Sequence, residues 1–314
     1  MSVILISVVI CSYNRSDLLA NLLQTVCQQS LDRSEYEVII VDNNSTDDTS
    51  VVSHSFVADY ANVRYCFESQ QGLSHARNRG WREAKGQYVA YLDDDCKVPE
   101  QWLEVATKVI DSISPNIFGG PYFAFYNTKK PPWYLSSYGS YEPYAQAMRL
   151  EEPEKLHGGN LFLERRVLEK SGGFDPQLGM AGGKMAYGEE TALLLYIHAT
   201  IPNVVVYYEP KLFVHHLVRP EKMKIGWIIR HRFVNARYIY RVREESQKMG
   251  RLRLLLYLLY FSLRLLLSCT LGVFIWKREK YPYLQNYWYE RGFKHLFPLG
   301  WFYEQYHQVK QKKS

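Results

Sequence analysis

The chain has 314 residues, 47% hydrophobic and 22% charged, which excludes a disordered protein and leaves room for one large core or two modest ones. Its net charge of +6 hides an asymmetry: residues 1–210 hold 17 Lys and Arg against 26 Asp and Glu, whereas residues 211–314 hold 21 against 6. Five scattered cysteines (Cys11, Cys27, Cys66, Cys96, Cys269) without a C-x-x-C pair argue against a zinc or disulfide framework and for reduced thiols facing the cytosol.

The opening run Met1–Ile6 is apolar but lacks a basic n-region and a small-residue cleavage site. It reads as the approach to a first strand rather than as a signal peptide. Strands are predicted at Ser7–Cys11, Val38–Val41, Val63–Phe67 and Tyr88–Leu92, each a short apolar run bounded by turn residues. Between them, Ser16 is placed to cap a helix with the stripe Leu18, Leu19, Leu22, Leu23 and Val26. Ser45-Thr46-Asp47-Asp48 has the spacing of a capping box, and Ser74 is placed to cap a helix through Ala84. Repeated βα units with short connections predict a doubly wound parallel sheet. No G-x-G-x-x-G follows the first strand, so a dinucleotide fingerprint is absent.

Asp93-Asp94-Asp95 directly follows the fourth strand. Three adjacent carboxylates repel one another strongly unless a cation lies between them. In an open α/β sheet, ligands bind at the carboxyl ends of the strands. A hard divalent cation held by one or two carboxylates completes its shell with water and substrate phosphates. The triplet therefore points to a Mg²⁺ or Mn²⁺ site holding a phosphorylated substrate. The competing reading is a solvated acidic turn or a helix cap for the segment starting at Pro99.

Residues 115–145 are rich in loop residues and tyrosine. A strand at Asn160–Leu163 and a helix at Arg165–Ser171 follow, ended by Gly172-Gly173 and a turn at Phe174-Asp175-Pro176. Gly182-Gly183 reads as a hinge before a helix from Glu189 to Ala199. Strands are predicted at Val204–Tyr208 and Lys211–His215. The run Leu254–Trp276 carries one charge, Arg264, and is long enough to span a bilayer, yet a mid-span arginine is costly. Its basic flanks (Arg251, Arg253, Lys277, Arg278, Lys280) give no orientation. Aromatics crowd Tyr281–Tyr306. A shallow or re-entrant membrane-associated helical region fits this pattern best, ahead of a true span, a buried hairpin or an oligomer face. A basic, apolar tail suits a lipid surface better than nucleic acid.

Four blocks stand in a telling order: Val8–Arg15; Glu37–Asp47, with Asp42-Asn43-Asn44-Ser45; Gly72–Gly80; and Ala90–Asp95. With Gly158-Gly159-Asn160, Gly172-Gly173-Phe174-Asp175 and Gly188-Glu189-Glu190-Thr191, they resemble the family 2 glycosyltransferases over about residues 5–245. The resemblance implies an α/β fold of the GT-A type, Rossmann-related, with a mixed sheet flanked by helices. It sets a transferase domain at 1–245, and the basic, apolar and aromatic composition beyond it sets a helical membrane-associating tail at 246–314. It also implies a nucleotide-diphosphate-sugar donor, Mn²⁺ or Mg²⁺, and inversion at the sugar carbon.

On this resemblance the loop Cys11–Arg15 (Cys11, Tyr13, Asn14, Arg15) meets the nucleotide, and Asp42 accepts a hydrogen bond from the base; an ordinary turn and a helix cap are the respective alternatives. Arg77 and Asn78 approach the donor, or else lie on a solvated helix face. The D-x-D of the family maps to Asp93 and Asp95. Asp95 then touches the metal, Asp93 or Asp94 bonds the ribose or the metal's waters, and the pair His215-His216 adds a late metal or diphosphate ligand, His216 aligning better with the family's His; the alternative is a plain surface strand end. Glu190 is the candidate base, with a departure from the family pattern: Asp usually stands at this position after Glu. The extra methylene either repositions the base or makes Glu189 the active carboxylate. Trp133, Tyr134, Tyr138 and Tyr141 could form a sugar platform or simply pack a long loop.

The expected function is non-processive sugar transfer to a glycan or lipid-linked acceptor at the cytoplasmic face of a membrane. A processive synthase is disfavoured because no Q-x-x-R-W occurs. A sugar-phosphate nucleotidyltransferase would carry glycine in the loop after the first strand, and Cys11–Arg15 has none. An inactive membrane scaffold would not need the intact acidic residues. Donor sugar, acceptor and oligomeric state are not legible.

Overall fold

The computed structural model describes residues 4–182, 185–243 and 249–311. Compactness divides the chain into two units. One is Met1–Phe125, Gly139–Lys184 and Glu189–Leu217; the other is Tyr126–Tyr138, Met185–Gly188 and Val218–Ser314.

In the first unit, β1 (Ile6–Ser12), β2 (Tyr36–Asp42), β3 (Val63–Phe67) and β4 (Tyr88–Asp93) pair in parallel in the order β3-β2-β1-β4. These four predicted strands are all present, with ends within two residues of those expected, whereas the strand expected at Val204–Tyr208 starts only at Val206. The sheet then turns mixed. β9 (Asn160–Glu164) runs antiparallel between β4 and β6 (Ile117–Gly119), followed by β10 (Val206–Tyr208) and β8 (Met148–Arg149). A second sheet has the order β5-β11-β7, from β5 (Cys96–Lys97), β11 (Val214–Leu217) and β7 (Tyr122–Phe125). The last strand starts later than the predicted Lys211 because residues 209–212 form a turn, with the Leu212 N–H on the Glu209 carbonyl.

The apolar strands are buried on both faces, as parallel strands under helices must be. Val8, Ile10, Val38, Ile40, Ala90 and Leu92 share one core with α1 (Ser16–Val26) and α4 (Trp102–Ile113). Val9, Ile39, Val41, Val89 and Tyr91 share the other with residues of α3 (Leu73–Glu83), α5 (Arg165–Ser171) and α6 (Glu189–Thr200). Gly80 permits the close approach of α3 to β1: a Cβ there would lie 2.2 Å from Val9 Cγ1. The register aligns Ser12 with Asp42 and Cys11 with Asp93. The carboxyl ends of β1, β2 and β4 therefore form one continuous edge.

The expected caps are not made. α1 begins at Ser16, and α2 (Thr49–Asp59) begins after Asp48 without a side-chain cap. Asp47 instead accepts from the backbone N–H groups of both Ser16 and Thr49. It ties the two loops together rather than closing a capping box. Ser74 lies within α3 and donates to the Leu178 carbonyl, while Gly72, at φ 147°, precedes the helix. The hinge expected at Gly182-Gly183 falls partly outside the described residues; Gly182 itself has φ 57°.

Asn160 joins the two sheets. Its amide donates to the carbonyls of Leu212 (2.6 Å) and Pro121 (3.3 Å), and its oxygen accepts from Trp102 Nε1 at 3.1 Å.

The second unit is helical: α7 (Ile225–Arg243), α8 (Arg251–Thr270) and α9 (Leu296–Gln311). Residues 218–243, placed with the transferase domain by sequence, cluster here because α9 packs along α7 as well as α8. Buried Glu304 of α9 accepts from Arg237 and Arg241 of α7, at 2.8 and 2.6 Å. The apolar run breaks earlier than Trp276: α8 ends at Thr270 and a separate turn holds Gly272–Ile275. Trp133 and Tyr134 are buried, and Tyr138 stacks on Tyr289 with ring centroids 3.7 Å apart. These three rings pack this unit, whereas Tyr141 belongs to the first unit and bonds the Lys155 carbonyl.

Asn160→Ala leaves the Trp102 donor and the Leu212 and Pro121 carbonyls without this partner; a loss on the order of 2–4 kcal/mol is expected, read as a lower urea midpoint at unchanged slope. Burial alone would raise the Glu304 carboxyl, but hydrogen bonds from Arg241 and Arg237 hold it below the usual carboxylate range. That stabilisation is complete above the unfolded-state carboxylate value and is lost as pH falls through the lower folded value. Glu304→Gln should lower the melting temperature at pH 7 by the equivalent of about 1–3 kcal/mol and flatten its dependence on acid pH.

Candidate functional site

The loops after β1 and β2 are fastened to each other. Asn14 takes a left-handed φ of 52°, tolerable for Asn. Its N–H donates to Ser45 Oγ, and its side-chain oxygen accepts from the Thr46 N–H at 2.7 Å. Asp42 is buried at the end of β2. One of its oxygens accepts from the Ser45 N–H and the other from Tyr65 Oη, at 2.9 and 3.0 Å. It therefore orders its own turn, well ahead of α2 and without capping that helix, while standing at the sheet's ligand edge.

The three aspartates have three separate environments. Asp94 points inward: one oxygen meets Arg15 Nη1 at 2.7 Å and the other accepts from Ser12 Oγ at 2.9 Å. Burial pushes its carboxyl up to about 6, against the pull of Arg15. Burial also works against the charge of Arg15, but the carboxylates of Asp94 and Asp95 outweigh it and raise the guanidinium pKa. Asp95 lies 3.2 Å from His216 Nε2 and 3.9 Å from Arg15 Nη1. Asp93 is the most open of the three, with Arg77 Nη2 at 3.4 Å.

Arg77 connects this edge to α6. It is buried, 3.0 Å from Glu189 Oε1, and its guanidinium lies 5.3 Å from the centre of the Phe174 ring. Burial opposes its charge, yet Glu189, Asp93 and Glu190 raise its pKa above the ordinary value. Burial and the Glu190 carboxylate push the buried Glu189 carboxyl well above the usual range, with Arg77 pulling the other way. Glu190, next in sequence at the start of α6, is only partly buried. One carboxyl is thus sequestered against arginine and its neighbour is half-exposed beside it.

Asp93, Asp95 and His216 each offer a ligand atom, and these atoms lie within 4.8 Å of one another. Two carboxylates and an imidazole suit a divalent ion of the Mn²⁺ type. The second sheet makes this convergence possible: β11 pairs with β5 so that His216 stands opposite Cys96, the residue after Asp95, and the Leu217 N–H bonds the Asp95 carbonyl.

The candidate residues divide clearly. Arg15, Asp94, Asp95, Asp93, His216, Arg77 and Glu189 form one chain of contacts, with Cys11 at the end of β1 among them. Burial pushes the Cys11 thiol up to about 12, which makes it a neutral spacer between Arg77 and the aspartates. Asn78 is not part of the group. Its amide and carbonyl are both spent on the Phe174 backbone, at 2.7 and 2.8 Å, and its oxygen also accepts from Trp81. It fixes the Gly172-Gly173-Phe174 turn. Tyr13 is partly buried in the first loop.

Ser12, Gly158, Gly159 and Gly179 were not among the candidates. A Cβ on Gly159 would lie 2.4 Å from Asp93 Oδ2, one on Gly158 3.0 Å from Arg77, and one on Gly179 3.1 Å from the Glu189 carboxyl. The glycines were visible in the sequence, but which charged group each accommodates depends on the antiparallel placement of β9 and on the chain before α6.

A family model described as glycosyl transferase family 2 matches residues 7–172, more than half of the chain. Glycosyltransferase AglE of Haloferax volcanii is 31% identical over 180 residues, 57% of this chain and 58% of that protein, so the chain spans less than two thirds of its length. The glucosyl-dolichyl phosphate glucuronosyltransferase of the same organism is 23% identical over 230 residues, 71% of this chain and 72% of that one. Among solved structures, the mannosyltransferase PcManGT from Pyrobaculum calidifontis, in complex with GDP-Man and Mn²⁺, matches 98% of this chain and 76% of its own at 17% identity, with a TM-score of 0.56. S. aureus TarS 1-349 in complex with UDP-GlcNAc matches 98% of this chain and 92% of its own at 15% identity, with a TM-score of 0.57. These structural likenesses establish the GT-A fold expected from the sequence, and the family match covers every strand from β1 to β9. The chain belongs to glycosyl transferase family 2.

Proposed function

We propose that the protein transfers a sugar, with inversion and one residue at a time, from a nucleotide-diphosphate-sugar to a hydroxyl of a lipid-linked or growing glycan at the cytoplasmic face of a membrane. The observation that carries the reading is the convergence of Asp93, Asp95 and His216 at the ligand edge of the sheet, beside the Arg15–Asp94 and Arg77–Glu189 pairs. The nucleotide-sugars in the complexes of PcManGT and TarS support the donor class, and the dolichyl phosphate in a relative's name supports the acceptor class.

Asp95, Asp93 and His216 would hold Mn²⁺ or Mg²⁺. Such an ion, when bound, offsets the charge that develops on the departing diphosphate. Asp42 and the loop Cys11–Arg15, with Tyr13 and Asn14, receive the nucleotide, and Asp94 fixes Arg15 toward it. Arg77 adds positive charge near Asp93. Glu190 accepts the proton of the acceptor hydroxyl as its oxygen bonds the anomeric carbon from the face opposite the leaving group. The bond from that carbon to the diphosphate oxygen breaks, and the electron pair leaves with the nucleotide. Glu189, buried against Arg77, positions its neighbour. This assigns the base to the residue that departs from the usual Asp; the longer side chain is then part of how the acceptor is reached.

Donor binding should require added Mn²⁺ or Mg²⁺ and fall at least tenfold in Asp95→Asn, measured by calorimetry across uridine, guanosine and deoxythymidine diphosphate sugars in detergent. Binding that ignored both the metal and Asp95 would overturn the donor-site assignment. Glu190→Gln should leave donor affinity within about twofold while transfer falls roughly 10²–10⁴-fold. Loss of transfer in Glu189→Gln with full activity in Glu190→Gln would move the base to Glu189.

A further inference from the structure

The apolar surface of α8 is arranged by angle as well as by composition. At 100° per residue, Leu254, Tyr257, Leu258, Phe261, Leu265, Ser268, Cys269 and then Gly272 fall on one stripe. This stripe faces protein along its whole length. Leu254 is buried, Tyr257 and Phe261 stack on Phe302 of α9 (4.7 and 5.7 Å between ring centres), and Trp288 Nε1 donates to the Cys269 carbonyl. The opposite side is Leu252, Leu255, Leu256, Leu259, Leu263, Leu266 and Leu267, all exposed, Leu252 at 73%. Seven exposed leucines on one face exceed what a soluble surface normally leaves uncovered.

The charges are placed with equal regularity. Arg253 and Arg264 are eleven residues apart, three turns, and so lie on the same border of the leucine face. Arg251 stands at the start of the helix, and Lys277, Arg278 and Lys280 follow it, all exposed. A helix crossing a bilayer would carry Arg264 into the hydrocarbon, with α9 against its back. α9 brings Glu304 and, through it, Arg237 and Arg241 of α7. A helix lying in the membrane plane has none of these costs: leucines enter the acyl region, Arg253 and Arg264 sit at headgroup level, and α9 covers the side away from lipid.

We infer that α8 is an in-plane membrane anchor, embedded by its leucine face in an anionic lipid surface, and that it does not cross the bilayer. This deepens the proposed membrane-proximal acceptor reading, and its test is independent of donor chemistry. The full-length protein is incubated with preformed sealed vesicles of phosphatidylcholine alone or with 30% phosphatidylglycerol, and flotation is measured. Preferential flotation with the anionic vesicles is expected. Leu259→Glu with Leu263→Glu should reduce it at least tenfold, and Arg253→Glu with Arg264→Glu should remove the preference for anionic lipid. All variants should keep wild-type metal-dependent nucleotide-sugar binding, which separates a failed anchor from a failed donor site or a misfolded chain. Gly250→Cys and Glu279→Cys, labelled with a membrane-impermeant maleimide added outside, should both react, with the parent protein subtracted. Protection of only one of them would show a span and overturn the inference. Flotation insensitive to the leucine substitutions, or a stable dimer sealed through this face in place of vesicle binding, would overturn it as well.

Discussion

The site is governed by one electrostatic problem: Asp93, Asp94 and Asp95 at the end of β4, together with Glu189 and Glu190 at the start of α6, gather negative charge at the edge of a dry sheet. Unpaired carboxylates in such a place would drive their own protonation. Two guanidiniums, Arg77 buried and Arg15 half-buried, distribute the charge. Arg15 takes Asp94 and lies near Asp95; Arg77 takes Glu189 and lies near Asp93. What remains is arranged outward, where Asp93 and Asp95 meet His216. The two arginines are thus as much part of the fold's stability as of any substrate contact, and the open Asp93 is the carboxylate they leave least satisfied.

The parallel half of the sheet was legible because its strands are buried on both sides and therefore read as uninterrupted apolar runs. The acidic triplet and His216 were legible because their types and order carry the chemistry. Three things were not. Ser16, Ser45 and Ser74 have the residue type of helix caps, but tertiary contacts use those segments otherwise: Asp47 serves two loops, and Ser74 reaches Leu178. Asn78 sits in a block that the resemblance led us to expect near the donor, yet no local pattern tells that its amide is consumed by Phe174, ninety-six residues on. The glycines at 158, 159 and 179 are visible, but the charged group each accommodates (Arg77, Asp93 and Glu189) is fixed only when β9 and α6 are in place.

The tail shows the same limit at larger scale. Composition predicted affinity for lipid but could not divide a uniformly leucine-rich helix into a packed side and an open side. That division comes from Phe302 and Trp288, far along the chain, which select one stripe of α8. The tyrosine-rich segment before residue 145 also divides: Trp133, Tyr134 and Tyr138 complete the helical unit and Tyr141 the sheet unit. Aromatic content alone, which suggested a sugar platform, does not separate a ring that binds from a ring that packs.

The pairing of β11 has a consequence for how this protein can change. His216 faces the acidic cluster, and His215, opposite Lys97, is exposed. A strand that slips by one residue exchanges its two faces. In most strands that would replace an essential side chain with an unrelated one. Here a slip in one direction would replace one imidazole with another, so a single-residue insertion in the chain leading to β11 would still leave an imidazole nitrogen beside Asp95, whereas a deletion would bring Leu217 there. The doubled histidine gives the position beside Asp95 a tolerance to a one-residue lengthening of the chain, even though β11 is held by pairing with β5 and β7.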